Sequence, residues 1–273
     1  MRKPEQSANQ GIIASLRQGF ALVVLLTSLT ACETTVSGSF NNTADQQQAL
    51  QDYIQLALAY YDANDMAGAR RHINNAMAID DRNADVYNVL ALVLQREGDL
   101  ELADQTFRRA INLNRDNPRV RNNYAAFLFG QMRYADAFNQ LQIVADNVEY
   151  EGRAIAFENL GRSALMLNRK EDAQRAFERA LQINSNLYLS ALELTQLRID
   201  NQDWAGARRT FGQYLTTKDF YSIPFNARSL WIGIQLETHF QDRTQLEIYT
   251  RLLTTLFRES PEYLLYTNMS HGQ

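Results

Sequence analysis

Between Leu56 and Tyr214, apolar and small residues recur in one fixed order, separated by polar stretches. The first copy reads Leu56-Ala57, Tyr60, Asn64-Asp65, Ala69, Ile73 and Ala76. The same offsets return as Leu90-Ala91, Leu94, Gly98-Asp99, Ala103, Phe107 and Ala110, then as Tyr124-Ala125, Leu128, Ala137, Leu141 and Val144. A fourth copy holds Leu160-Gly161, Ala164, Ala173, Phe177 and Ala180, and a fifth Leu194-Thr195, Ala207, Phe211 and Tyr214. The alanines at 69, 103, 137, 173 and 207 lie 34, 34, 36 and 34 residues apart. Within a copy the apolar positions fall three and four apart, which is one face of a helix. Each copy therefore predicts two antiparallel helices joined by a tight turn. Tyr87, Leu90, Ala91 and Leu94 mark one helix of the second copy; Ala103, Phe107, Ala110 and Leu113 mark the next. Large–small pairs such as Leu90-Ala91 let a neighbouring helix come close, and Phe107 fills the space beside the small residue. One such pair cannot bury its apolar stripe alone, so stacked neighbours supply the core.

The pattern of small residues near positions 8, 20 and 27 with large ones at 7 and 24 resembles the tetratricopeptide repeat. The resemblance implies an all-α fold, a right-handed superhelix of about six helix pairs. Five repeats are read at 50–83, 84–117, 118–151, 154–187 and 188–221, with a two-residue insertion near Gly152-Arg153. Residues 222–258 read as a degenerate sixth pair without the alanine signature, built on Leu230, Trp231, Ile234 and Leu236, then Leu246, Tyr249, Leu252, Leu253 and Leu256. Residues 259–273 are a tail whose Tyr263, Leu264, Leu265 and Tyr266 are expected to fold back over the last pair, the alternative being a docking motif for a partner. Only the second turn carries glycine, at Gly98; Asn64, Met132, Asn168 and Gln202 stand at the same place elsewhere. These departures leave the fold class intact and bear on the turns alone.

The N-terminal pattern differs. Arg2, Lys3 and Arg17 precede an apolar run from Gly19 to Leu29, the length of a signal-peptide core and short for a membrane span. The run ends in Leu29-Thr30-Ala31-Cys32, and Cys32 is the only cysteine of the 273-residue chain. This resembles a bacterial lipobox. Residues 1–31 are therefore expected to be a lipoprotein signal peptide, Cys32 to be acylated, and residues 32–49, polar and poor in apolar mass, to form a flexible tether. Glu33, in place of an aspartate, favours sorting to the outer membrane.

The totals narrow the function. A net charge of −4, which becomes −6 once the leader is removed, argues against nucleic acid as a partner. His72, His239 and His271 lie far apart in a stacked array, so no zinc site is expected, and no phosphate-cradling or hydrolase motif appears. The chain is read as a non-enzyme with no cofactor and no small-molecule substrate. In the repeat family's register, positions 5, 6, 9, 12 and 13 line the concave face. They include Ile54, Leu58 and Tyr61; Asn88, Leu92 and Arg96; Asn122, Asn123 and Phe129; and Glu158, Asn159, Arg162 and Leu165. Asparagines that donate and accept can hold an extended peptide or bridge neighbouring helices. Ile54, Leu58 and Tyr61 are expected to form an exposed apolar grip for a partner strand or helix.

Lipobox, short tether and about six repeats together are similar to the PilF/PilW family of secretin pilotins. Ala91-Leu92-Val93-Leu94-Gln95-Arg96 and Asn122-Asn123-Tyr124-Ala125 followed by Phe127-Leu128 carry the same resemblance. It implies a periplasm-facing lipoprotein on the inner leaflet of the outer membrane, whose partner is the secretin subunit of the type IV pilus system. Such a protein promotes the secretin's localisation and multimerisation. The alternatives are a repeat lipoprotein of the β-barrel assembly machine and an adaptor for cell-wall enzymes.

Overall fold

A computed structural model describes residues 43–271 of the chain. Cys32, the leader and most of the stretch read as a tether lie outside the described residues. Among the described residues there are thirteen helices and no strand. They are α1 (Thr43–Asp62), α2 (Met66–Ile79), α3 (Ala84–Glu97), α4 (Leu100–Leu113), α5 (Pro118–Gly130), α6 (Tyr134–Asp146), α7 (Arg153–Met166), α8 (Lys170–Ile183), α9 (Tyr188–Asp200), α10 (Trp204–Phe220), α11 (Ala227–Phe240), α12 (Arg243–Leu256) and α13 (Pro261–His271). The first twelve form six pairs of a tetratricopeptide superhelix, and the unit that holds the stack runs over Ala49–Gln273. Two boundaries differ from the sequence reading. Helix α1 already runs through Thr43–Gln48, inside the stretch read as tether, because Ala44, Gln46, Gln47 and Gln48 are good helix formers even without an apolar face. The tail is a thirteenth helix, with Tyr266 and Met269 packed onto the last core cluster and Leu264 and Leu265 exposed.

Small-against-large contact fixes the pairing. A Cβ on Gly161 would sit 2.7 Å from the Phe177 ring, and one on Gly233 would sit 2.7 Å from the Tyr249 ring. Gly233 precedes Tyr249 by sixteen residues, as Gly161 precedes Phe177. The sixth pair thus keeps the small–large lock with glycine in place of alanine, and its degeneracy is narrower than the missing alanines suggest.

The turns inside the repeats are uniform despite their different residues. Gly98 has φ +91°, while Asn64, Met132, Asn168 and Gln202 have φ between 57° and 60°. In each, the next N–H donates to a carbonyl five residues back: Asp65 to Tyr60, Asp99 to Leu94, Arg133 to Leu128, Arg169 to Ala164 and Asp203 to Arg198, at 2.8–3.0 Å. This is the left-handed helix ending that glycine favours, imposed here mostly on side chains that pay about 1–2 kcal/mol for it. Asparagines cap first helices, as Asn83 accepts from the N–H groups of Asp85 and Val86, and Asn117 from those of Arg119 and Val120. Aspartates start four of the six second helices, while Arg133 and Arg169 start the other two. Asp65 and Asp203 accept backbone N–H bonds, whereas Asp99 makes no side-chain cap bond and acts through its charge alone.

Second helices pack on their own first helices, α2 on α1 through the cluster of Ile54, Ala57, Ala69 and Ile73, and α2, α4, α6, α8 and α10 also pack on the first helix that follows; consecutive first helices touch too, α3 on α5, α5 on α7, α7 on α9 and α9 on α11. The first helices therefore form the inner layer of the stack.

Candidate functional site

The inner layer presents α1, α3, α5, α7, α9 and α11, and the structure separates the residues expected there into three groups. Ile54 is not on the open face. It is 4% exposed and packs in one cluster with Ala57, Ala69, Ile73 and Val86, because the Leu50–Ile54–Ala57 stripe faces α2 and α3. Leu58 and Tyr61 are half-buried at the edge of that cluster. The apolar surface of the first repeat thus rests on Leu58 and Tyr61 without Ile54.

The second group bridges repeats. Asn88 is 2% exposed, and its Oδ1 accepts from Asn123 Nδ2 at 3.1 Å, tying α3 to α5. That pair is committed to the solenoid, so Asn88 does not offer its amide to a ligand. Glu158 is buried likewise, and its Oε2 accepts from the Ser190 N–H at 3.0 Å and the Ser190 hydroxyl at 2.7 Å.

The third group remains open. Leu92 is half-buried and Ala126 exposed, so the ninth positions of the first three repeats, Leu58, Leu92 and Ala126, make an apolar floor. In later repeats the same position holds Arg162 and Gln196, and the floor turns polar. Arginine–aromatic pairs stand beside the apolar part. The Arg96 guanidinium lies 4.4 Å over the Tyr61 ring, and its Nη1 donates to Asn64 Oδ1. The Arg162 guanidinium lies 4.8 Å over the Phe129 ring, which itself meets Tyr134 edge-on. Both arginines are exposed at their outer edges. Asn122 and Asn159 are half-buried; Asn122 Oδ1 is shielded from solvent without a hydrogen-bond partner among the described residues.

Sequence reasoning missed the polar rungs further along. Arg228 makes a double hydrogen bond to Glu193 at 3.0 and 2.6 Å, and Gln235 donates to Gln196 at 3.2 Å, both joining α9 to α11. The signal was present in the register, since Glu193 and Gln196 occupy positions 6 and 9, but their partners sit in the pair whose register the missing alanines hid. A buried carboxyl was missed for the same reason. Glu237, on α11, is 7% exposed, and its Oε2 has no hydrogen-bond partner among the described residues. Burial pushes this carboxyl above the ordinary glutamate range, with Arg208 opposing and Asp242 adding to the shift. The Tyr249 phenol is pushed up to about 12, first by burial and then by the Glu237 charge. Among the described residues no group of three or more His, Cys, Asp or Glu is placed to hold a metal ion.

The inner face thus combines an apolar floor with aromatic–arginine rims. Fold and face define a tetratricopeptide-repeat protein built for protein–protein contact. Models of the tetratricopeptide repeat match residues 84–117 and 154–187, the α3–α4 and α7–α8 pairs with their linkers. The chain is 34% identical to the type IV pilus assembly protein PilF of Pseudomonas aeruginosa over 247 residues, covering 89% of this chain and 95% of that protein. It therefore belongs to the PilF family. The solved structure of Pseudomonas aeruginosa PilF superimposes with a TM-score of 0.76 at 32% identity, covering 82% of this chain and 99% of that one. The structure of PilW, described as a widely conserved type IV pilus biogenesis factor, gives a TM-score of 0.65 at 22% identity over 81% of this chain and 99% of its own. At that identity the likeness to PilW is one of fold.

Proposed function

We propose that this chain is a pilotin, an outer-membrane lipoprotein that binds the type IV pilus secretin and promotes its localisation and multimerisation. Membership of the PilF family is the observation that carries the reading, since PilF is named for type IV pilus assembly. The apolar floor of Leu58, Leu92 and Ala126 supports it with a place for an apolar segment of the secretin subunit. Acylated Cys32 supplies the membrane address. Several acyl chains make the anchor stable, at about 0.8 kcal/mol per buried methylene. A secretin monomer gripped by a membrane-anchored scaffold is held at high local concentration beside others, and ring assembly is favoured by tethering alone, without catalysis.

The reading is tested by affinity purification of the tagged protein from detergent-solubilised envelopes. The secretin is the expected principal partner. Barrel-assembly subunits, or murein synthases and hydrolases, in its place would overturn the assignment. Leu58→Glu, in a variant whose helical spectrum is unchanged, is expected to reduce secretin recovery at least several-fold by placing a charge on the apolar floor. Undiminished recovery would remove the first repeat from the binding face.

A further inference from the structure

On the opposite side of the stack from the inner face, helices α4 and α6 stand apart over α5 and enclose a cleft of about 350 Å3. Tyr124 and Leu128 of α5 form its floor; Arg108 and Asn112 stand on one wall, Arg133, Asn139 and Gln140 on the other. The charged groups are held in place by one carboxylate. Asp104 accepts from the Tyr124 hydroxyl at 2.9 Å and from Arg133 Nη1 at 2.8 Å, and pairs with Arg108 Nη2 at 2.8 Å. Arg108 Nε in turn donates to the Tyr124 oxygen at 3.2 Å. Asp136 is engaged by Arg133. The two acids and the two arginines at the cleft thus balance one another in charge, and its positive excess comes from arginines outside this cluster. Gln140 brings a further guanidinium to its edge, because Gln140 Oε1 accepts from Arg121 Nη1 at 2.6 Å, and Arg121 has no carboxylate partner among the described residues.

The surrounding sequence sharpens the charge. Residues 108–121 contain Arg108, Arg109, Arg115, Arg119 and Arg121 against Asp116 alone, in a chain whose net charge is −4. Of these five arginines only Arg108 forms an ion pair among the described residues. The carboxamides of Asn112 and Asn139 are exposed on facing walls and make no hydrogen bond among the described residues. A carboxamide offers a donor and an acceptor to a peptide backbone running between them.

We propose that the cleft between α4 and α6 is a second binding site that takes an acidic, extended peptide segment of a partner protein. The arginines at its edge that lack carboxylate partners attract the segment, and the facing amides above the Tyr124–Leu128 floor hold its backbone. A flat anionic membrane would satisfy the arginines but could not enter a cleft whose amides lie between two helices. The site does not overlap the inner face, so the protein would hold two segments at once, either of one partner or of two.

The test uses the full-length protein in detergent and fluorescence anisotropy of a labelled twelve-residue Glu-Ala repeat peptide, with Gln-Ala and Lys-Ala repeats as controls. The Glu-Ala peptide is expected to bind at least about tenfold tighter than either control, and more weakly as salt rises. Arg108→Gln, and the charge-neutral double variant Asn112→Ala/Asn139→Ala, are each expected to weaken it about tenfold. Leu58→Glu on the inner face should leave it unchanged. Absence of binding, or binding that ignores the two asparagines, would overturn the proposal in favour of diffuse charge attraction. So would capture by phosphatidylglycerol vesicles that depends on the arginines and equals peptide binding in strength.

Discussion

Single residues decide where this solenoid carries strain and where it carries charge. Gly98 occupies a left-handed turn with nothing within 4 Å of an added Cβ, so Gly98→Ala probes the backbone alone. It is expected to cost about 1 kcal/mol in chemical denaturation. Met132 holds the equivalent turn at φ 58° with its side chain 76% exposed, so Met132→Gly is expected to stabilise by about 0.5–1 kcal/mol. Glu237 behaves differently because its cost depends on pH. Its folded-state value lies above the unfolded one, so the folded state holds the proton more tightly. Stability from this group is intact below the unfolded value and is lost as pH rises through the folded value. Glu237→Gln is therefore expected to gain more relative to wild type at pH 8 than at pH 4 in urea titrations; an equal or reversed difference would mean that the carboxyl is not raised. At this scale the sequence was informative about type and silent about commitment. The turn residues could be read by position, since Asn64, Met132, Asn168 and Gln202 stand where Gly98 does. That Asn88 spends its amide on Asn123 could not, because an asparagine on a helix face looks the same whether it meets a ligand or a neighbouring helix.

At the scale of helices, periodicity located the pairs and composition misjudged the ends. Helix α1 includes polar residues that read as a tether, since an exposed helical turn needs good helix formers and no apolar stripe. Ile54 was expected on the open face from its place in the register, but the heptad-like run Leu50–Ile54–Ala57 is also the stripe that meets α2 and α3, and burial took precedence. In the last pair the missing alanines concealed a small–large lock that Gly233 and Tyr249 preserve, and with it the register that places Glu237. Helix α13 closes this end. Tyr266 and Met269 lie against the cluster that contains Ile234, Leu236 and Leu253. Truncation after Ser260 is expected to destabilise the protein by about 2–3 kcal/mol through the apolar surface it uncovers. A truncated chain with unchanged midpoint and slope in urea would show that α13 contributes no packing.

For the molecule as a whole, the fold was legible because one pattern repeats five times, and a solenoid's core is the sum of identical local contacts. Its surface was legible only in part. Inner-face positions follow from register, whereas the outer cleft depends on how Asp104 gathers Arg108 of α4, Tyr124 of α5 and Arg133 of the turn before α6, which no single repeat displays. Family membership ties this scaffold to PilF; pilotin activity is the claim that stands or falls on the secretin itself. The decisive measurement is the level of secretin multimers in outer-membrane fractions of a deletion strain complemented with wild type or with Cys32→Ser. Loss of multimers in the deletion, recovery with wild type, and scarce or mislocalised rings with Cys32→Ser are the results predicted. Unchanged outer-membrane multimers in the deletion strain would contradict the account.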